Sequence, residues 1–103
     1  DWTQSAEYIH RMWRAYLPWP GVFTMWNGKR LKIVIARADR NRPEAIPHGT
    51  QPGTPFLTLD SHLAITCGTG AIIVERLQLE GKKELDAEAF LRGYPAFLGV
   101  SLD

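Results

Sequence analysis

The sequence predicts a mainly β domain: a small barrel of five short strands, with an amphipathic helix before it and a short helix after it. Three observations predict it. Up to Tyr16, apolar residues recur at three- and four-residue steps, the spacing of a helix with one buried stripe. The run Pro18-Trp19-Pro20-Gly21 then stops any helix, and beyond it the apolar period changes to two. Turn signals follow at short intervals, led by Asn27-Gly28, whose residues both tolerate positive φ.

Each element has its own reason. The first helix is expected from Thr3 to Tyr16, with the Thr3 hydroxyl as N-cap. Ala6, Ile9, Trp13 and Tyr16, with Met12 beside them, form the buried stripe, while Glu7, His10, Arg11 and Arg14 share the opposite face. Leu17 precedes a proline and is biased out of the helical region, so the helix ends there. Val22 to Trp26 reads as the first strand. After the Asn27-Gly28 turn, a second strand runs to about Ala38, with Leu31, Ile33 and Ile35 alternating with Lys32, Val34 and Ala36. Asp39 to Pro52, with three prolines, one glycine and little apolar content, is a long loop. Thr54 to Leu59 is the third strand, Asp60-Ser61 a turn, and His62 to Cys67 the fourth strand. Gly68-Thr69-Gly70 turns into a fifth strand, Ala71 to Leu79, whose inward set of Ile72, Val74, Leu77 and Leu79 requires a bulge. Asp86 caps a helix from Ala87 to Arg92 that Gly93 ends. This count suits a five-stranded OB-like Greek-key barrel; an open five-stranded sheet with one packed helix has the same count.

At 103 residues the chain makes one domain. Hydrophobic residues at 45% and charged residues at 22% support a packed core and argue against disorder. Cys67 alone allows no internal disulfide and fits a reducing compartment. No apolar run reaches the ~18 residues of a membrane span. The chain opens on Asp1-Trp2-Thr3, so it is expected to be a fragment or a processed product.

No active site emerges. His10, His48 and His62 are too scattered for a metal site, and Cys67 lacks a cysteine partner at ligand spacing. Asp60-Ser61-His62 holds the residue types of a hydrolytic triad, but three consecutive residues cannot face one another in relay, so a turn explains them better. Gly68-Thr69-Gly70 lacks the third glycine and the following helix of a phosphate loop. Glu84, Asp86 and Glu88 read as a capped, solvated helix start. Trp13 and Tyr16 are expected in the core, Trp19 between helix and barrel, and Trp26 partly exposed near its turn.

Charge is the functional signal. The net charge is +1, but residues 1–42 carry eight Lys/Arg against three Asp/Glu, and residues 43–103 four against eight. Arg11 and Arg14 lie on the exposed helix face, Lys29, Arg30 and Lys32 on the first hairpin, and Lys82 and Lys83 beyond the last strand. Arg37, Arg40 and Arg42 lead into the long loop. Folded onto one side, these cations would offer a polyanion several separate phosphate contacts.

Four pieces of the chain resemble, in order and spacing, the C-terminal domain of methionyl-tRNA formyltransferases. They are Ala6 to Gly21 (AEYIHRMWRAYLPWPG), Gly28-Lys29-Arg30-Leu31-Lys32-Ile33, Gln51-Pro52-Gly53-Thr54, and Leu77 to Lys83 with Phe90-Leu91-Arg92-Gly93. The resemblance spans nearly the whole chain. It implies an OB-like barrel appended to an N-terminal formyltransferase domain of the same polypeptide. That absent domain would hold the 10-formyltetrahydrofolate site and the catalytic residues, leaving this chain no catalysis, cofactor or metal of its own. It further implies an accessory role in binding initiator methionyl-tRNA through phosphate contacts. Arg11, Arg14, Lys32, Lys82 and Lys83 match the family's basic positions, with Lys29, Arg30 and Arg37 as further candidates. The expected setting is translation initiation, in the cytoplasm or, in a eukaryote, the mitochondrial matrix. The alternative is a structural or interaction domain of a formyltransferase acting on a nucleotide sugar or formyltetrahydrofolate, with Trp2, Trp19 and Trp26 packing on a neighbour.

Overall fold

The protein is described by a computed structural model covering residues 2–15, 22–39, 51–58, 61–100 and 102. Tyr16, Trp19, Arg40, Arg42, His48, Asp60 and most of the Asp39–Pro52 loop lie outside the described residues. In chain order the elements are α1 (Ala6–Ala15), β1 (Val22–Trp26), β2 (Lys29–Asp39), β3 (Pro55–Leu57), β4 (Leu63–Thr66), β5 (Ala71–Leu79), β6 (Glu84–Asp86) and α2 (Ala87–Gly93), then a 3-10 turn at Pro95–Phe97.

All strands join one antiparallel sheet in the order β1-β2-β5-β4-β3, with β6 added on β5. β3, β4 and β5 follow one another as hairpins, while β2 reaches its place beside β5 through the long connection. That is a Greek-key path, in keeping with the OB-like expectation. β5 is the central strand. On one side it pairs with β2; on the other, β4 takes its first residues and β6 its last. Among the described residues the expected five strands are therefore six. β6 is three residues long and alternates weakly, so it exists as a strand only because β5 offers an edge there.

The sheet curls, and Trp2 fills the seam. Its indole N–H donates to the buried Thr24 Oγ1 of β1 at 3.1 Å, while the same ring lies against Gly53, just before β3. Edge strands β1 and β3 are thus joined through one aromatic side chain. The core runs from Trp2 and Ala6 through Leu31, Ile33, Ile65, Val74 and Leu77 to an aromatic group of Trp26, Phe90, Tyr94 and Phe97. Trp26 meets Tyr94 and Phe97 edge-on, with ring centroids 5.6 and 5.1 Å apart, a favoured aromatic geometry.

Several expectations change. Ser5, not Thr3, caps α1: its Oγ accepts the Tyr8 N–H at 3.1 Å. The residues before it form a turn outside the helix, fixed by the Gly68 N–H on the carbonyls of Trp2 and Gln4 and by the Ala6 N–H on Thr69 O. Met12 is exposed and outside the buried stripe. His10 turns toward the sheet rather than away, stacked on Trp13 with centroids 5.3 Å apart and its Nε2 3.2 Å from Ala36 O. In β2, Ile35 is 41% exposed and Ala36 is buried, the reverse of simple alternation. The ladder explains this. Ile33 pairs with Leu77, Ile35 with Arg76 and Ala36 with Val74, so each strand carries one extra residue, first Val34 and then Glu75. Each extra residue flips the side-chain parity of its strand. The bulge expected in β5 is present, and Ile72, Val74, Leu77 and Leu79 all face the core. Gly93 is the last helical residue of α2, and Tyr94 ends the helix with its N–H on Phe90 O. Trp26 and Trp2 are buried, at 8% and 7% exposure, so neither offers the apolar docking surface of the alternative reading.

Candidate nucleic-acid interface

The candidate interface is built at one end of the sheet by two turns. The first is the β1–β2 hairpin, where Asn27 and Gly28 both take positive φ, 53° and 74°, the type I′ geometry that suits strand twist. The turn leaves Lys29 and Arg30 exposed at its base. The second is the β5–β6 turn, Glu80-Gly81-Lys82-Lys83, closed by the Lys82 N–H on Leu79 O at 2.9 Å with Gly81 at φ 80°. Gln78 Nε2 also donates to Lys82 O at 2.9 Å, and Lys82 and Lys83 stand exposed.

The β2–β5 register brings these turns together. Leu31 lies opposite Leu79 and Lys32 opposite Gln78, so the hairpin and the β5–β6 turn are neighbours across one pair of strands. Beyond the last ladder pair, the Glu80 N–H donates to Arg30 O at 2.8 Å, and Glu80 Oε1 accepts the Arg30 N–H at 3.0 Å. Lys29, Arg30, Lys32, Lys82 and Lys83, expected from separate parts of the sequence, therefore meet at one sheet end.

Helix α1 carries two more. Trp13 Nε1 donates to Ile33 O at 2.9 Å and His10 Nε2 meets Ala36 O, so α1 runs antiparallel to β2 with its C-terminus toward the hairpin end. Ile33 is the last residue of β2 paired with β1 and Ala36 lies three residues beyond it, so the helix bonds to β2 where β1 no longer runs. Arg11 and Arg14 are exposed on this helix, and Arg14 is in its last turn, nearer the hairpin.

Arg37 does not join them. It lies five residues beyond Lys32 along β2, roughly 16 Å at the usual rise of a strand, and its Nε is 3.9 Å from Glu75 Oε1. Arg76 and Arg92 are also engaged, with Glu84 at 2.6 Å and Glu88 at 3.1 Å.

The motifs set aside in the sequence have structural roles. The Ser61 N–H donates to Thr58 O and the Thr58 N–H to His62 O, a tight turn between β3 and β4. The Gly68-Thr69-Gly70 turn is closed by the Cys67 N–H on Gly70 O, and the Gly68 amide is spent on the N-terminal segment rather than left for a phosphate. Asp86 Oδ1 accepts the Ala89 N–H at 2.8 Å, capping α2 as expected. Cys67 is buried, and burial pushes its thiol pKa from 9.0 up to about 12, a protonated and unreactive state. Among the described residues, no group of three or more His, Cys, Asp or Glu is placed to hold a metal ion. No helix among them is long and apolar enough to cross a membrane.

Sequence reasoning missed Glu80, a carboxylate of the second turn that reaches back to the first hairpin. Its neighbours in the chain carry no signal; only the pairing of β2 with β5 shows what it holds.

The profile of the formyl transferase C-terminal domain family matches residues 1–95. The methionyl-tRNA formyltransferase of Ruegeria pomeroyi is 42% identical over 102 residues, covering 99% of this chain and 31% of that protein. That of Acidiphilium cryptum is also 42% identical over the same shares. That of Roseiflexus castenholzii is 42% identical over 93 residues, 90% of this chain and 28% of that protein. The chain thus spans less than a third of the length of these relatives. The chain belongs to the formyl transferase C-terminal domain family.

Proposed function

We propose that this chain is the accessory domain of a methionyl-tRNA formyltransferase and that it holds initiator tRNA by its phosphate backbone. The observation that carries the reading is the meeting of Lys29, Arg30 and Lys32 with Lys82 and Lys83 across the β2–β5 pair, with Arg11 and Arg14 on the helix alongside. Cations on two turns and a helix can contact phosphates at separate points along a backbone. Forked guanidiniums and mobile ammoniums suit phosphate oxygens without reading bases. On this reading the chain does no chemistry. Formyl transfer from 10-formyltetrahydrofolate belongs to an N-terminal domain of the same polypeptide, and the enzyme works where translation starts.

The test is a salt titration of initiator-tRNA binding by the full-length protein. Affinity should fall steeply with salt, because each phosphate neutralised releases condensed counterions. Lys82→Ala with Lys83→Ala, or Arg11→Ala with Arg14→Ala, should flatten the log–log slope by roughly one unit for each phosphate no longer neutralised. Arg37→Ala should change it least of the candidate positions. Equal slopes for the wild type and both double variants would overturn the reading.

A further inference from the structure

We infer that Glu80 is a positioning residue: its carboxylate ties the hairpin carrying Lys29 and Arg30 to the turn carrying Lys82 and Lys83, making one phosphate-binding platform of two loops. The inference rests on the tRNA-backbone reading above. Its warrant is geometric. Glu80 and Arg30 exchange two hydrogen bonds, Glu80 N–H to Arg30 O at 2.8 Å and Arg30 N–H to Glu80 Oε1 at 3.0 Å. The first continues the strand ladder and survives any side-chain change. The second is made by the side chain alone, at the last point where the two chains touch before they turn away. Both turns beyond it are open: a Cβ added at Gly28 or Gly81 would meet nothing within 4 Å.

A carboxylate beside a phosphate site is electrostatically unfavourable. Its presence among cations is explained if its hydrogen bond matters more than its charge. Two substitutions separate these roles, since Glu80→Ala and Glu80→Gln remove the same charge but only glutamine keeps an acceptor at that place.

The experiment measures initiator-tRNA affinity of the full-length protein over a salt series, for the wild type, Glu80→Gln, Glu80→Ala, Lys82→Ala/Lys83→Ala, and the lysine pair combined with Glu80→Ala. Glu80→Gln is expected to bind as tightly as the wild type or more so. Glu80→Ala should bind about five-fold more weakly than Glu80→Gln, the worth of one net hydrogen bond. Its Arg30 amide should also exchange with solvent faster, while the thermal midpoint falls by no more than a few degrees. On the background lacking both lysines, Glu80→Ala should have almost no further effect, because the platform it aligns is then missing one half. If the lysine pair weakens binding but the alanine and glutamine variants bind alike, the inference is overturned and the tRNA reading stands. If the lysine pair leaves binding unchanged, the inference is overturned, and the tRNA reading falls with it when Arg11→Ala with Arg14→Ala also leaves binding unchanged.

Discussion

The two ends of this sheet use glycine in opposite ways. At the end bearing the basic turns, Gly28 and Gly81 have positive φ, 74° and 80°, and open space where a side chain would stand. They supply a backbone conformation and nothing more, and the turns they make are free to carry exposed lysines. At the far end Gly53 also takes positive φ, 86°, but there and at Gly68 the surroundings leave no room for a side chain. A Cβ on Gly53 would meet Leu102 O at 2.8 Å and the Trp2 ring at 3.2 Å; one on Gly68 would meet Thr3 O at 1.9 Å. There the N- and C-terminal segments cross the sheet edge against bare backbone, bonded by Gly68 N–H to Trp2 O and by Leu102 N–H to Gly53 O. One end holds the fold shut and the other carries the exposed turns of the proposed tRNA site. Substitution at the open end should therefore alter binding, and at the closed end stability.

Substitutions can break or sharpen that contrast. The largest effect is expected from Gly68→Ala, where the added methyl collides with backbone that cannot yield without displacing Trp2. A loss of about 3 kcal/mol in urea unfolding is expected, with tRNA affinity of the remaining folded fraction unchanged. A loss below about 1 kcal/mol, the ordinary scale of a surface change, would show the closed end to be slack.

The second effect is a pH dependence at the same end. Cys67 has a folded pKa of about 12 against an ordinary 9.0. The raised value means that its contribution is complete below pH 9, where both states keep the proton. It is lost as pH climbs toward 12, because the unfolded thiol ionises and the buried one does not. Unfolding free energy should fall by ~1.4 kcal/mol per pH unit in that window from this group. Cys67→Ala, whatever its cost at neutral pH, should show a slope shallower by that amount. Identical slopes would mean that the thiol is reached by water.

The smallest effect belongs to the open end. Gly28→Ala meets no atom but must hold positive φ, so about 1 kcal/mol is expected. If it cost as much as Gly68→Ala, the distinction between a glycine kept for conformation and one kept for space would fail.

How much could be read beforehand follows from how far each cause reaches along the chain. The Asn27-Gly28 hairpin, the Asp86 cap and the inward set of β5 were legible because each is settled within a few residues. Ser5 displaced Thr3 as the cap of α1 because a turn more than sixty residues away bonds the carbonyls of Trp2 and Gln4 and keeps them out of the helix. Ile35 and Ala36 exchanged faces because Val34 is accommodated against a strand forty residues later. His10 looked like part of a polar helix face, yet the carbonyl of Ala36 draws it inward. The basic residues were visible as a set, but not which of them meet. Arg37 has the same composition signal as Lys32 and ends beside Glu75 instead.

By itself the sequence determined the order and character of the elements, the turn types, the sign of the charge in each half and the family likeness, since all are written in neighbouring residues. Tertiary structure alone decided that β6 exists, that Trp2 joins two edge strands, and that five cations share a sheet end with the carboxylates of Glu80 and Glu84. Those outcomes depend on strand register and on close backbone approach. Both are fixed by the packing of segments far apart in the chain, which no local pattern encodes.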